Sequence, residues 1–235
     1  LSSIPRDVVK KAKIMWVNYP NNPTGAVAAK EFFKEAVDFG NDNDIIIASD
    51  ECYSEIYFKE KPHSILEYSR EGIVVFQSLS KRSAMTGYRV GWIAGDERII
   101  SAFRKLKPNI DSGTVTFIED AAGAALRDEI HVEKMRNDYK KKAEILVDAF
   151  TSIELEDCMP DATLYIWQKV PKKINSVEFA KKLLQKNIAI VATPGLMLSA
   201  TVNNFNPGSD YIRFALVPTI EETKEAAKRI KENLK

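Results

Sequence analysis

Short apolar runs alternate with stretches of helical spacing through the first half of this 235-residue chain. Continuous apolar runs at residues 13–17, 45–48, 73–76 and 90–94 predict strands. The second run is typical of a strand that a parallel sheet buries on both faces. Because strands and helices alternate, we predict a layered α/β domain.

Four helices are predicted in the same region. Apolar positions recur with helical spacing over residues 27–39, and Gly40 is placed to form the C-terminal cap of that helix. Further helices are predicted at residues 97–106, 115–127 and 131–152. The last of these is long and heavily charged, and helices of this kind often bridge two domains.

The pattern changes after the long helix. Residues 162–168 alternate between apolar and polar, which predicts a strand with one solvated face. An amphipathic helix follows at residues 176–186 with Ser176 as its N-cap, and then a short strand at residues 188–191. A strand at residues 211–217 carries a single arginine in an otherwise apolar run. These short elements predict a small α+β domain.

The predicted elements divide the chain into three parts. We predict that residues 1–130 form part of a large three-layer α/β/α domain and that residues 131–155 form a connecting helix. Residues 156–235 then form the smaller α+β domain. A chain of this length is compatible with one large domain or two modest ones.

Composition excludes few classes but removes any reason to propose some partners. Apolar residues make up 45% and charged residues 29%, as in an ordinary globular protein. The formal charge of +1 gives no electrostatic reason to propose nucleic acid or an anionic membrane. Two cysteines, Cys52 and Cys158, are too few for a disulfide framework, so we expect a cytoplasmic protein. No apolar run approaches the roughly 20 residues that span a bilayer.

Polar side chains follow three of the predicted strands at the points where those strands end. They are Asn22 after the first strand, Asp50 and Tyr53 after the second, and Ser78, Ser80, Lys81 and Arg89 after the third. Ligands bind outside the carboxyl ends of strands in open α/β sheets, so parallel neighbours would bring these groups to one edge.

The chemistry of this set is complementary. A lysine amine can form a Schiff base with an aldehyde, and an aspartate can hold a protonated pyridine nitrogen. The asparagine amide and the tyrosine can bond a phenolate oxygen, while serine hydroxyls and an arginine suit a phosphate ester. These are the requirements of pyridoxal 5′-phosphate. We predict no metal ligands.

Each of these residues also has a purely structural explanation. The asparagine-rich stretch around Asn22 could be only a turn, and Asp50 only a helix N-cap. Tyr53 could be an ordinary core residue, and the segment around Lys81 a solvated basic loop. Taken one at a time, the motifs do not decide between these explanations.

Taken together, the motifs resemble those of the class I/II aminotransferases of the fold-type-I pyridoxal-phosphate superfamily. The matching residues occur in the order and spacing of that family: Asn22-Pro23-Thr24-Gly25, Asp50-Glu51-Cys52-Tyr53, Ser78-Leu79-Ser80-Lys81, Arg89, and the strand at residues 211–217 with Arg213. The match covers essentially the whole chain and implies the fold-type-I large domain followed by a small domain.

The resemblance implies a role for each matching residue. Lys81 would be the Schiff-base lysine and the base that moves the substrate proton, and Asp50 would hold the pyridinium nitrogen. The ring oxygen would be held by Asn22 and Tyr53, the phosphate by Ser78, Ser80 and Arg89, and the substrate carboxylate by Arg213 and Asn22. It also implies a homodimer that acts on an amino acid and a 2-oxo acid.

A substantial segment precedes the Asn-Pro-Thr-Gly turn in this family. It supplies the first strands of the sheet, backbone amides for the phosphate, an aromatic residue that stacks on the cofactor and residues that reach the partner subunit. None of these lies within the 235 residues. We therefore expect a fragment that binds cofactor poorly by itself.

Three local runs suggest a substrate. Residues 81–89, residues 128–133 and the Asn-Pro-Gly at residues 206–208 look like N-succinyl-diaminopimelate aminotransferases of lysine biosynthesis. The predicted reaction transfers an amino group between that substrate and the 2-oxoglutarate/glutamate pair. The alternatives are an aspartate, aromatic or LL-diaminopimelate aminotransferase, a β-lyase of the same fold, and a non-catalytic fragment that kept only the fold.

Overall fold

The computed structural model describes residues 1–234, which divide into two compact units. The first unit consists of Leu1–Asn21 and Val27–Glu133, and the second of Asn22–Ala26 and the described residues from Lys134 onward. The chain passes from one unit to the other within a long helix, near the start of the predicted connecting helix. The inclusion of Asn22–Ala26 in the second unit was not indicated by the sequence.

A four-stranded sheet organises the first unit. Its strands are β1 (Ile14–Asn18), β2 (Ile46–Asp50), β3 (Ile73–Ser78) and β4 (Gly91–Gly95), and they lie in this order across the sheet. The first three are parallel, and β4 runs antiparallel to β3. All four correspond to predicted strands, and the parallel arrangement of the first three is as the sequence led us to expect.

Six helices belong wholly or partly to this unit. They are α1 (Arg6–Lys11), α2 (Lys30–Asn43), α3 (Leu79–Arg82), α4 (Glu97–Asp111), α5 (Thr116–Arg127) and α6 (Ile130–Thr151), the last of which continues into the second unit. Buried side chains of α2, including Phe33 and Ala36, pack against Ile47 and Ile73 of the sheet. No helix within residues 1–234 is both long and apolar enough to cross a membrane.

The predicted cap at Gly40 is wrong. Helix α2 continues past Gly40 to Asn43, and Asp44 caps it in a left-handed conformation with φ 52°. The glycine serves close packing, because a Cβ at Gly40 would lie 2.9 Å from the carbonyl oxygen of Ile45 and 3.0 Å from the Ile47 side chain. This glycine near the end of α2 therefore allows close packing of the helix against β2 and does not cap the helix.

The second unit contains a small antiparallel sheet and two further helices. The strands β5 (Tyr165–Lys169), β6 (Thr193–Pro194) and β7 (Tyr211–Ala215) lie in the order β5-β7-β6. The helices are α7 (Ser176–Leu183) and α8 (Ile220–Asn233). Aromatic packing ties the long helix α6 to this sheet, since the rings of Phe150 and Phe214 lie 4.9 Å apart.

The short strand predicted at residues 188–191 is absent. The backbone N–H of Ile190 instead donates to the carbonyl of Leu183 at 2.8 Å, and Ala189 is left-handed with φ 51°. These residues fold back on the end of α7, and the sheet pairing passes to Thr193–Pro194. This apolar run therefore does not form a strand, because its backbone N–H groups bond carbonyls at the end of a helix instead.

The predicted N-cap of α7 is displaced by one residue. The Asn175 side chain accepts hydrogen bonds from the N–H groups of Val177 and Glu178, both at 3.0 Å, and the Glu178 carboxylate accepts from the N–H of Asn175. Ser176 is fully buried, and its hydroxyl accepts from the N–H of Leu196. Asn175 and Ser176 can both cap a helix, and Asn175 is the cap here because the fold buries Ser176.

A buried carboxylate, Asp96, lies between β4 and α4 and bonds the residue that precedes β3. Asp96 caps α4 by accepting from the N–H of Arg98 at 2.8 Å, and it also accepts from the N–H of Gly72 at 2.8 Å. The Arg98 guanidinium contacts both carboxylate oxygens. The hydrogen bond from the Arg98 side chain is the largest of the interactions that hold the pKa of Asp96 below its ordinary range.

We predict that Asp96→Ala lowers the free energy of unfolding by about 1–2 kcal/mol at neutral pH, the usual cost of losing an N-cap. Because the folded state binds this proton more weakly than the unfolded chain, the contribution of Asp96 is complete above about pH 4 and is lost below it. Urea titrations should therefore show a difference that shrinks on acidification. The exposed Asp120→Ala is the control, and an equal loss in both variants would contradict the capping role.

Candidate active site

The carboxyl ends of the parallel strands align at one edge of the first unit's sheet. Asn18 at the end of β1 lies opposite Asp50 at the end of β2, and Asp50 lies opposite Phe76 of β3. The Asn18 amide donates to the backbone carbonyl of Asp50 at 3.2 Å. Since β3 ends only two residues after Phe76, Asp50 and Ser78 emerge at the same edge.

A tight turn follows Asp50. The Asp50 carboxylate accepts from the N–H of Cys52 at 3.1 Å, and Tyr53 is 95% buried. Two nearby charges, as well as burial, affect the pKa of the Cys52 thiol. Burial raises its pKa to about 12, with a further upward contribution from Asp50 and a downward one from Lys81. A carboxylate and an ammonium group therefore lie close to the same thiol.

Lys81 is carried by the single helical turn α3. Ser78 forms its N-cap, with its hydroxyl accepting from the N–H of Ser80 at 3.2 Å. Leu79 is 1% exposed and fixes the turn in the core. The ammonium group of Lys81 lies 5.6 Å from the centre of the Tyr53 ring, so the turn after β2 and the turn after β3 meet at these two residues.

Arg89 closes the segment that begins at Ser78. It is left-handed, with φ 53°, and its guanidinium donates to the carbonyl of Thr86 at 3.0 Å and to the hydroxyl of Ser80 at 3.5 Å. The Thr86 hydroxyl in turn donates to the carbonyl of Ser80 at 3.1 Å. A guanidinium beside serine hydroxyls is a donor set that suits a phosphate group.

The first unit thus brings together six of the predicted site residues. They are Asp50, Tyr53, Ser78, Ser80, Lys81 and Arg89. This set offers a carboxylate for a protonated ring nitrogen, a phenol for a ring oxygen, an amine for an aldehyde, and hydroxyls with a guanidinium for a phosphate. The donor chemistry of the set therefore fits pyridoxal phosphate.

The other two predicted residues, Asn22 and Arg213, lie in the second unit and bond each other. The Arg213 guanidinium donates to the Asn22 side-chain oxygen at 2.9 Å and to the Thr193 hydroxyl at 3.4 Å. It also stacks 4.5 Å from the centre of the Tyr165 ring. Its Nε is buried and donates to no partner within the described residues.

Two residues that hold this arrangement were not singled out from the sequence. Glu51 is 1% exposed, and its carboxylate accepts from the Ser49 hydroxyl and from the N–H of Ile65, both at 3.0 Å. Burial raises the pKa of this carboxyl. The sequence signal that could have indicated Glu51 was its position directly after a predicted buried strand. Tyr165, on the strand next to Arg213, could have been found only once the pairing of β5 with β7 was known.

The sequence of the chain matches the family model described as aminotransferase class I and II over residues 1–230. The chain belongs to this family. It is 44% identical to an LL-diaminopimelate aminotransferase of Aquifex aeolicus, covering 100% of this chain and 60% of that protein. The predicted family is therefore confirmed, and pyridoxal phosphate is the cofactor that class I and II aminotransferases use.

Solved structures agree with the predicted fold class. An aminotransferase from Neisseria meningitidis is 38% identical with a TM-score of 0.90, covering 98% of this chain and 60% of that one. A probable N-succinyldiaminopimelate aminotransferase from Thermus thermophilus is 30% identical with a TM-score of 0.86, covering 99% and 62%. The α/β fold of this family is confirmed. The chain spans about 60% of the length of the proteins that it matches.

Proposed function

We propose that this chain is the greater part of a pyridoxal-phosphate-dependent aminotransferase. The observation that carries the proposal is the grouping of Lys81, Asp50 and Arg89 at one edge of the sheet of an aminotransferase-family chain. A phosphate, a ring nitrogen and an aldehyde each need a partner of different chemistry, and these three side chains supply them. No structural role requires the three together.

In the first unit, the residues after β2 and β3 would hold the cofactor. Ser78, Ser80 and Arg89 would bind its phosphate, and Tyr53 would bond its ring oxygen. The family resemblance adds Asn22 as a second donor to that oxygen. Because Ser80 is only 8% exposed and bonds Arg89, the hydroxyl and the guanidinium are already oriented toward a common anion.

When bound, pyridoxal phosphate supplies an aldehyde and an electron-accepting ring that acidifies the α carbon of an amino acid. Lys81 would provide the amine that holds the aldehyde carbon and, once displaced, the base that moves the substrate proton. The Asp50 carboxylate would keep a proton on the ring nitrogen. Asp50 is oriented for this by the Cys52 N–H, which fixes one of its oxygens.

Arg213 would bind the substrate carboxylate. Its planar guanidinium can pair with both oxygens of a carboxylate, which a lysine cannot do. Asn22, Thr193 and the Tyr165 ring hold this guanidinium from different directions, so little conformational freedom would be lost on binding. The same site would accept an amino acid and a 2-oxo acid in turn, because both carry this carboxylate.

For the substrate, we propose LL-diaminopimelate, with 2-oxoglutarate and glutamate as the second pair. The LL-diaminopimelate aminotransferase of Aquifex aeolicus supports this choice over N-succinyl-diaminopimelate, which the local sequence runs favoured. The N-succinyl compound stays as the second candidate because the Thermus thermophilus structure is named for it. A homodimer stays a prediction of the family resemblance, and a cytoplasmic location stays a prediction from the cysteine content.

We predict that Lys81→Ala abolishes covalent attachment of the cofactor and lowers the rate of amino transfer by a factor on the order of 10³. Borohydride reduction followed by peptide mass spectrometry should label Lys81 in the unchanged protein and no lysine in the variant. The exposed Lys105→Ala is the control and should keep both the label and the activity. Undiminished turnover in Lys81→Ala would contradict the proposed mechanism.

We predict that Arg213→Lys lowers kcat/KM for the amino acid by about 100-fold, because one point charge replaces a bidentate donor. The loss should lie mainly in KM and should affect the amino acid and the 2-oxo acid alike. Covalent cofactor at Lys81 should be unchanged, and the exposed Arg104→Lys should behave as the unchanged protein. Loss of cofactor in Arg213→Lys with normal KM would argue against carboxylate binding.

A substrate panel tests the reaction and its substrate together. The whole enzyme that contains this chain should convert 2-oxoglutarate to glutamate with LL-diaminopimelate, and kcat/KM should be lower with N-succinyl-LL-diaminopimelate, aspartate and phenylalanine. Higher kcat/KM with the N-succinyl compound would select the second candidate. Release of pyruvate from a β-substituted amino acid without glutamate formation would identify a β-lyase instead.

A further inference from the structure

The helical turn that carries Lys81 is too short to be stable by itself. Helix α3 has four residues, and isolated helices far longer than this are marginal in water. Its backbone is tied locally, with the N–H groups of Ser83 and Met85 both donating to the carbonyl of Leu79 at 3.1 Å. The position of Lys81 therefore depends on what fixes this turn to the rest of its unit.

Buried Leu79 fixes the first residue of the turn, and Arg82, the residue next to Lys81, connects its last residue to another helix. Its side chain is only 12% exposed and extends to the C-terminal end of α5. The guanidinium donates to the carbonyl of Ala125 at 2.8 Å and to the hydroxyl of Ser83 at 3.3 Å, and it pairs with the Glu129 carboxylate. Among the side-chain hydrogen bonds described for residues 78–89, only those of Arg82 reach another helix.

The chemistry of this contact suits a permanent anchor. The last carbonyls of a helix lack partners within the helix and carry its partial negative charge, so a guanidinium at the end of α5 is favourably placed. The planar fork serves the Ala125 carbonyl and the Glu129 carboxylate at once, which a lysine cannot do. Glu129 is exposed, so the ion pair alone is weak, and the half-buried bond to the carbonyl gives the contact its direction.

We propose that Arg82 is a positioning residue for Lys81. By fastening α3 to the end of α5, it fixes the backbone from which the Lys81 amine extends toward Tyr53. This role rests on the proposed function, because it concerns attachment of the cofactor aldehyde to Lys81. It requires no contact between Arg82 and cofactor or substrate.

Two cofactor forms separate positioning of Lys81 from general support of the pocket. Pyridoxal phosphate attaches covalently to the lysine, whereas pyridoxamine 5′-phosphate has no aldehyde and uses only the remaining contacts. In Arg82→Met, half-maximal borohydride trapping at Lys81 should need about tenfold more pyridoxal phosphate, the loss typical of one hydrogen bond to a charged group. The affinity for pyridoxamine 5′-phosphate should be unchanged.

Matched variants sharpen the comparison. Arg82→Lys should show a smaller effect, because lysine can still donate to the Ala125 carbonyl. Glu129→Gln, which removes only the exposed ion pair, should show the smallest effect in the same direction and serves if Arg82→Met does not fold. The exposed Arg127→Met should match the unchanged protein. Without cofactor, amide hydrogen exchange at residues 79–85 should be faster in Arg82→Met than in Arg127→Met.

The possible results are distinct. If both cofactor forms bind more weakly to the same extent, Arg82 only supports the pocket and the positioning role is wrong. If the variants trap cofactor as the unchanged protein does, Arg82 has no role in attachment. If the unchanged protein traps no cofactor at Lys81, the proposed function itself is wrong.

Discussion

The parallel alignment of β1, β2 and β3 is the constraint on which the rest of the first unit depends. Parallel strands with matched register end at one edge, and here Asn18, Asp50 and Ser78 mark those ends. Polar groups at buried strand ends are costly unless they are bonded, and Asp50 accepts from the Asn18 amide through its backbone carbonyl and from the Cys52 N–H through its carboxylate. The sheet therefore places polar groups at one edge, and their burial there requires that they have hydrogen-bond partners.

The second unit depends on a different constraint, which is close packing around the half-buried side chain of Arg213. Gly25 is left-handed with φ 73°, and a Cβ there would lie 2.7 Å from the Pro160 side chain, so the turn that begins at Asn22 can pack only with glycine. That packing holds Asn22 where its oxygen accepts from Arg213 at 2.9 Å. A motif that in the sequence suggested a strand end thus also fixes the arginine of a distant strand.

Local patterns were sufficient to predict the strands of the first sheet, because a buried strand and the polar turn after it each occupy a few consecutive positions. The site residues proposed from those turns stay predictions. The capping box between Thr219 and Glu222 is likewise formed within four consecutive residues. The predictions at Gly40 and at residues 188–191 failed because packing and hydrogen bonds decide there: Gly40 packs against Ile45 and Ile47, and the N–H of Ile190 donates to the carbonyl of Leu183. The grouping of Lys81 with Tyr53 needed the fold, since 28 residues separate them.

The charges of the candidate site argue for its chemistry more strongly than any single motif does. A cofactor with a phosphate and a protonated ring nitrogen needs a cation and an anion at its two ends, and Arg89 and Asp50 are of those signs. A substrate carboxylate needs a second cation, and Arg213 retains a buried Nε donor without a partner in the described residues. Under the proposed function, the guanidinium of Arg213 would pair with the substrate carboxylate that amino transfer requires.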